Sequence, residues 1–503
     1  MLWLSRELLY NPTVRIRKST YKQLEEVVTR TVIENVLAQR YASEPLREIW
    51  SERGKIVAER RFWVAIMRAQ QAAGYDISDE VIAAYEAVVE DVHLDSIEMR
   101  ERQTKHDVKA RIDEFDALAG GHGKIHLGMT SRDLTENIEQ WQVRAALRIV
   151  RFKVIAALDR LNRLSLQYAP LVMAGRSHNV AGEPTTLGKR FATWSEELLV
   201  AFDALEDVLA NIPLRGIKGP MGTSVGQLEL LGTDGYLRLE DVVREELGFD
   251  RISISVGQVS PRSYEAQVVS VLHQLACAPS NFATTLRLMA GHELVTEGFA
   301  KNQVGSSAMP HKMNSRTSER ICGFKTLLEG YVVMINSIAG KQWNEGDVSC
   351  SVVRRVVLAD SFFAIDGLLE SFLTVLDEFG AYPRMIEAEL ERYLPFLVTT
   401  AILRLAMDAG ISREVAHEAI KECAVAVAQQ VRDGVTKASD LYDRLAAHPQ
   451  LSQLAIEDVR LAVANPMQFV GGAVAQVAQV AARVNTLLNA EPEAAKYQPG
   501  DIL

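Results

Sequence analysis

The sequence predicts an all-α protein built around a bundle of unusually long helices, and three observations carry this. Residues 129–169 contain neither Gly nor Pro, and Leu134, Ile138, Trp141, Val143, Leu147, Val150, Val154, Ile155 and Leu158 recur mostly at three- and four-residue steps. That is the period of one helix face, and roughly 40 residues at about 1.5 Å each make a rod near 60 Å long. Residues 189–212 are likewise free of both breakers, 262–290 hold only Pro279, and 347–379 hold only Gly367. Pro279 removes one backbone donor and is expected to kink its helix rather than end it. No set of alternating apolar and polar runs matches these helices, so ISISVGQVS around 252–260 reads as a loop.

In chain order, residues 1–128 form shorter helical segments broken by Pro12, Pro45, Gly54, Gly74 and the Gly120-Gly121-His122-Gly123 loop. Thr130 and Ser131 open the first long helix, where a hydroxyl satisfies free N–H groups and the positive end of the macrodipole favours an anion. After Phe379-Gly380 the pattern shortens, with Pro383, Pro395 and Gly410 as breaks, and EPEAAKYQPGDIL at 491–503 reads as a loose tail. Three domains follow: 1–129, 130–379 and 380–503. One chain rarely buries every side of such long rods, so self-association into a symmetric bundle is expected.

Composition bounds the function. Apolar residues make up 48% of the 503 and charged residues 24%, which excludes intrinsic disorder as the main state. Lys and Arg total 55 against 65 Asp and Glu, a net charge of -10, so nucleic acid is not an expected partner. A few placed arginines still suit a small anion. Cys277, Cys322, Cys350 and Cys423 match no metal-binding spacing and read as reduced thiols of a cytoplasmic protein. Arg6 and Glu7 interrupt the apolar start of the chain, which argues against a secretory signal. Nowhere do 18 apolar residues run together, so no membrane-spanning helix is expected.

The segment with the most unusual chemistry is Gly305-Ser306-Ser307-Ala308-Met309-Pro310-His311-Lys312-Met313-Asn314. It combines hydroxyls, a cation and an amide in a polar loop suited to holding an anion, and fits neither a GxSxG elbow nor a P-loop. It resembles the signature loop of the fumarase/aspartase superfamily, with Met313 where that family usually has Arg. Lys105-His106-Asp107-Val108, Met129-Thr130-Ser131-Arg132-Asp133 and Gly175-Arg176-Ser177-His178 agree with further family blocks, in the expected order. Arg40-Tyr41-Ala42-Ser43 and the His106 block are similar to the branch that eliminates fumarate from succinylated purine nucleotides. The alternative within the family, an elimination from argininosuccinate or another succinylated amine, fits those two blocks less well. A non-catalytic scaffold would show eroded positions, whereas Ser306, His178, Lys312 and Asn314 are all present.

The resemblance implies a homotetramer whose long helices form a twenty-helix core with shared active sites. Elimination needs a base for the β-proton, an acid for the leaving nitrogen, and donors for the charge that spreads into the neighbouring carboxylate. By resemblance Ser306 is the base and His178 the acid, with Glu319 setting the protonation of His178. His106 counts by resemblance among the catalytic residues, near the substrate and phosphate, either acting on a proton or orienting the ligand, and Lys105 and Asp107 beside it bind substrate. Asp107 also reads as a plain helix N-cap or a buried orienting group. Thr130, Ser131, Gln258, Lys312 and Asn314 bind the succinyl portion, and Arg40, Tyr41, Arg320, Ser351 and Arg355 hold phosphate and ribose. Gly346 stands where the family commonly has Arg, so a phosphate contact is missing there or supplied by a neighbour such as Lys341 or Arg354. No metal and no organic cofactor are expected.

Overall fold

The computed structural model describes residues 34–298, 309, 311–500 and 502. Short and medium helices come first: Val36–Arg40 (α1), Glu44–Trp50 (α2), Glu52–Ala72 (α3), Asp79–Glu86 (α4), Leu94–Thr104 (α5) and Asp107–Leu118 (α6). Ser131–Gln167 (α7) then runs for 37 residues, about 55 Å. A hairpin of Val172–Ser177 (β1) and Val180–Thr186 (β2) follows, and Leu187–Asn211 (α8) returns from it. Val225–Glu246 (α9) lies against α3, and Ser263–Gly291 (α10) passes through Pro279 without ending. The two-residue strand Val295–Thr296 (β3) precedes Arg316–Asn336 (α11) and Ser351–Glu378 (α12) and pairs with Gly380–Ala381 (β4). Pro383–Leu397 (α13), Thr399–Asp408 (α14), Arg413–Arg432 (α15), Asp440–Ala447 (α16), Ile456–Val463 (α17) and Ala473–Ala490 (α18) complete the fold.

Side-chain pairs fix the directions in the bundle. Glu139 meets Arg354 at 2.7 Å, Lys153 meets Glu370 at 2.6 Å, and Arg160 meets Asp377 at 2.7 Å, so α7 and α12 run parallel. Helix α10 runs with them, from Arg262 on Glu136 to Phe282 on Phe372. Helices α8 and α11 run the other way, since Arg151 meets Glu206 while Tyr168 stacks on Phe191, and Arg287 near the end of α10 faces Glu319 at the start of α11. The result is five long helices with α12 innermost: nearly every side chain from Val357 to Leu376 is buried, as in a helix surrounded on all sides.

That burial also encloses charge. Lys153 lies between Asp366 and Glu370 with all three side chains almost fully buried, and its ammonium also donates to Ser43 Oγ at 3.0 Å. The tail completes the cluster, contrary to the expectation of a loose end. Tyr497 donates to Glu370, the Gly500 N–H donates to the same carboxylate at 2.5 Å, and Arg160 donates to the Tyr497 carbonyl at 2.6 Å. The hairpin is the other departure from expectation. Its strands VMAGRS and VAGEPTT do not alternate cleanly, and pairing with packing on α13 supplies what the local pattern lacks.

Candidate active site

The N-termini of α6, α7 and α12 converge on a cavity of about 650 Å³. His106, Asp107, Thr130, Ser131, Gln258, Ser351 and Arg355 line it together, from four separate stretches of sequence. Each belongs to a helix start or an adjoining loop, where unpaired N–H groups already favour anions. Thr130 is the N-cap of α7, and its N–H donates to Asp133 Oδ2 at 2.8 Å. Asp133 is fully buried and also accepts from Arg215 at 2.5 Å and from the N–H groups of Lys218 and Gly219 at 2.9 Å. The loop 215–219 therefore locks the first turn of α7 in place.

His106 caps α6, with Nδ1 accepting from the Lys109 N–H at 3.2 Å. A neutral imidazole accepting at Nδ1 carries its proton on Nε2. That nitrogen lies 3.4 Å from Ser131 Oγ and faces the cavity. Asp107 pairs with Arg111 at 2.6 Å. Burial acts to raise its carboxyl, but the Arg111 guanidinium and the Val108 N–H outweigh it and hold the group below its ordinary value. Glu139 behaves similarly: burial acts upward, and Arg354, with Lys55 and Arg262, holds it down at about 2.

Sequence reasoning missed several groups here. Lys55, Arg132 and Glu139 line the same cavity, and Arg132 lies inside the block that was singled out for its neighbours. His126, four residues before Thr130, accepts from Trp63 Nε1 at 3.1 Å, and burial pushes its imidazole down to about 4.

The remaining candidates lie elsewhere in the chain. Tyr41 packs edge-on against Phe324 at 5.1 Å, and Arg320 stands 5.7 Å over its ring, beside the middle of α12. Arg40 ends α1 and is exposed, as is Lys105, which ends α5 at φ 55°. His178 sits at the exposed tip of the β1–β2 hairpin; it and Asn179 have φ of 51° and 59°, as a two-residue type I′ turn requires. Arg176 ties that hairpin to Glu389 of α13 at 2.5 Å.

Lys312 and Asn314 line a second cavity of about 500 Å³ with Glu297 and Tyr382. Glu297 accepts from the Thr317 and Ser318 N–H groups at 3.0 and 2.9 Å, which caps α11 and sets where this segment enters the helix. Glu319 faces Arg287 at 3.9 Å rather than His178 of the same chain. Ser306 lies outside the described residues, as do Gly305, Ser307, Ala308 and Pro310. Within one chain, then, the His106 cavity stands at one end of the parallel helices, while His178 and the Lys312 segment stand at the other. Helix α12 alone, at 28 residues, separates the two ends by about 42 Å.

Comparison with known proteins agrees with this architecture. A family described as Lyase matches residues 39–326, and one described as Adenylosuccinate lyase C-terminus matches 395–480. The chain is 30% identical to an adenylosuccinate lyase of Schistosoma mansoni, over 93% of this chain and 97% of the relative. It belongs to the adenylosuccinate lyase family. A relative of the same name from Saccharomyces cerevisiae is 32% identical over 76% of this chain and 81% of its own length. Among solved structures, a 3-carboxy-cis,cis-muconate lactonizing enzyme from Pseudomonas putida superimposes with a TM-score of 0.76 at 20% identity, covering 90% of this chain and 99% of its own. A fumarate lyase from Mesorhizobium sp. BNC1 gives 0.73 at 21%, covering 88% and 99%. These two share the fold. Membership of the family carries a C–N lyase assignment and the all-α class. Among the described residues no helix is long and apolar enough to cross a membrane.

Proposed function

We propose that this protein cleaves adenylosuccinate to AMP and fumarate, and performs the matching elimination on the succinylated aminoimidazole carboxamide ribotide, at sites shared between copies in a cytoplasmic homotetramer. The observation that carries the shared site is the split of the candidate residues between opposite ends of one bundle. Antiparallel neighbours would bring a His106 end against a His178 end.

In such a site the α7 N-terminus, with Thr130, Ser131 and Gln258, receives a succinyl carboxylate. Ser306 takes the β-proton while charge moves into the adjacent carboxylate, where Lys312 and Asn314 stabilise it. His178 then gives a proton to the departing nitrogen as the C–N bond breaks and fumarate forms. The His106 tautomer set by Lys109 directs an N–H, not a lone pair, toward the ligand. It orients substrate rather than removing a proton.

The test is complementation, with fumarate release from adenylosuccinate followed by absorbance. His106→Gln and His178→Gly homomers should each be nearly inactive, and mixing them with subunit exchange should restore part of the wild-type rate. If exchange is verified and no activity returns, the shared site is wrong. Should the wild type release no fumarate, the reaction itself is misassigned.

A further inference from the structure

Helix α12 contains a single glycine, Gly367, which is buried just past its middle. Glycine weakens a helix interior because it loses more backbone freedom on folding than any other residue, so packing has to account for it. A Cβ built on Gly367 would stand 2.7 Å from Tyr41 Cβ, 3.2 Å from the Tyr41 carbonyl oxygen and 2.9 Å from Phe324 Cζ. The joint between α1 and α2 and one side of α11 therefore both press on α12 at the residue that has no side chain. Two hydrogen bonds pin the joint there. Ser43 donates its N–H to Asp366 Oδ2 at 2.6 Å, and Ser43 Oγ accepts from Lys153 at 3.0 Å. Residues 41–43 cannot back away from Gly367 without unmaking contacts to a buried charge cluster.

The Tyr41 ring carries that placement outward to α11. It meets Phe324 edge-on at 5.1 Å, and the Arg320 guanidinium, one turn earlier on α11, stands 5.7 Å over it. Arg320 is half-buried, and among the described residues no carboxylate pairs with it. A guanidinium steadied by an aromatic face keeps its N–H donors for another acceptor, and the ring sets where it stands. In a close-packed interior, a displacement of Tyr41 is passed on to whatever rests against its ring.

We propose that Gly367 is a positioning residue for nucleotide binding. Its missing side chain lets Tyr41 seat against α12, and the seated ring holds Arg320 in place. The assignment rests on the nucleotide function proposed above, in which Tyr41 and Arg320 hold phosphate and ribose. Asp366 and Lys153 secure the same joint, but changing either unpairs a buried charge. Gly367 is the position where the effect is read without that disturbance.

Gly367→Ala adds one methyl group, raises helix propensity and deletes no hydrogen-bonding group. By titration calorimetry AMP should bind about tenfold more weakly, and KM for adenylosuccinate should rise about tenfold with kcat within about twofold, because a contact made equally in ground and transition states moves KM alone. In an Arg320→Met background the same substitution should raise KM by less than about threefold, since the group it acts through is gone. If the Ala variant is too unstable to assay, it is made in a Phe324→Leu background, which gives the methyl room on one side. There it should still weaken AMP binding relative to Phe324→Leu alone. Intact AMP affinity with only a lower melting temperature, a fall in kcat at unchanged KM, or an undiminished KM effect beside Arg320→Met would each overturn the assignment. So would a wild type that does not bind AMP. A wild type that releases no fumarate, but whose AMP binding weakens in Gly367→Ala, would sink the reaction and keep the positioning role.

Discussion

His178 occupies a left-handed turn position that an ordinary side chain adopts at a cost, while Gly adopts it freely. His178→Gly therefore preserves the hairpin and removes only the imidazole. Activity should fall by at least a thousandfold with no drop in melting temperature, and a matched drop would mean the histidine is structural. Lys312→Met tests the opposite partner. If its strongest contact is with the developing charge, kcat falls by about a hundredfold, roughly 3 kcal/mol, while KM barely changes. A raised KM with intact kcat would make Lys312 a ground-state anchor. His126 is one source of pH dependence. Burial lowers its imidazole from 6.5 to about 4, so the folded state binds that proton more weakly than the unfolded chain. Its stability contribution is complete above pH 6.5 and declines as the pH falls toward 4. His126→Asn, which tolerates φ 62°, should flatten the urea midpoint over that interval; an unchanged slope would exclude His126 as its source. The cavity residues legible in the sequence, His106, Asp107, Thr130, Ser131, Gln258, Ser351 and Arg355, were those carried by the family resemblance, at helix starts or in the loops before them. Lys55, Arg132 and Glu139 were not legible, because a charge on a helix reads as solvated until its neighbours are known.

The long helices were legible because uninterrupted 3.6-residue periodicity over two dozen residues or more has one solution. The hairpin was not, since Pro184 and two glycines sit in strands only six and seven residues long. Nor was the docking of the tail, whose polar sequence finds its partners in Arg151, Arg160 and Glu370 of distant helices. Where α8 leaves β2, Gly188 lies so close to the end of α7 that a Cβ would collide with the Ser165 carbonyl and the Ala169 backbone. Gly188→Ala should destabilise the protein by about 2–4 kcal/mol through this overpacking rather than gain helix propensity. Denaturant unfolding of the variant checks it, and a neutral or stabilising result would show that the two helices separate easily.

Across the whole molecule the buried Lys153, Asp366 and Glu370 cluster ties together parts of the chain that are far apart in sequence. Ser43, beside the Arg40-Tyr41 pair, donates its N–H to Asp366 at 2.6 Å, while Tyr497 and Gly500 donate to Glu370. Removing residues 491–503 strips two donors from a buried carboxylate, which should cost about 2–6 kcal/mol and expose α7 to proteolysis. Retention of the full melting temperature would show that the tail is dispensable. The same geometry has a consequence for biosynthesis. A ribosome adds residues in order, and Glu370 is made more than a hundred residues before its last donors. Until residue 500 clears the exit tunnel, the bundle holds a desolvated carboxylate without its full set of donors. A stalled nascent chain ending near residue 480 should therefore remain loosely packed, and the five-helix core should close only after residue 500 has emerged.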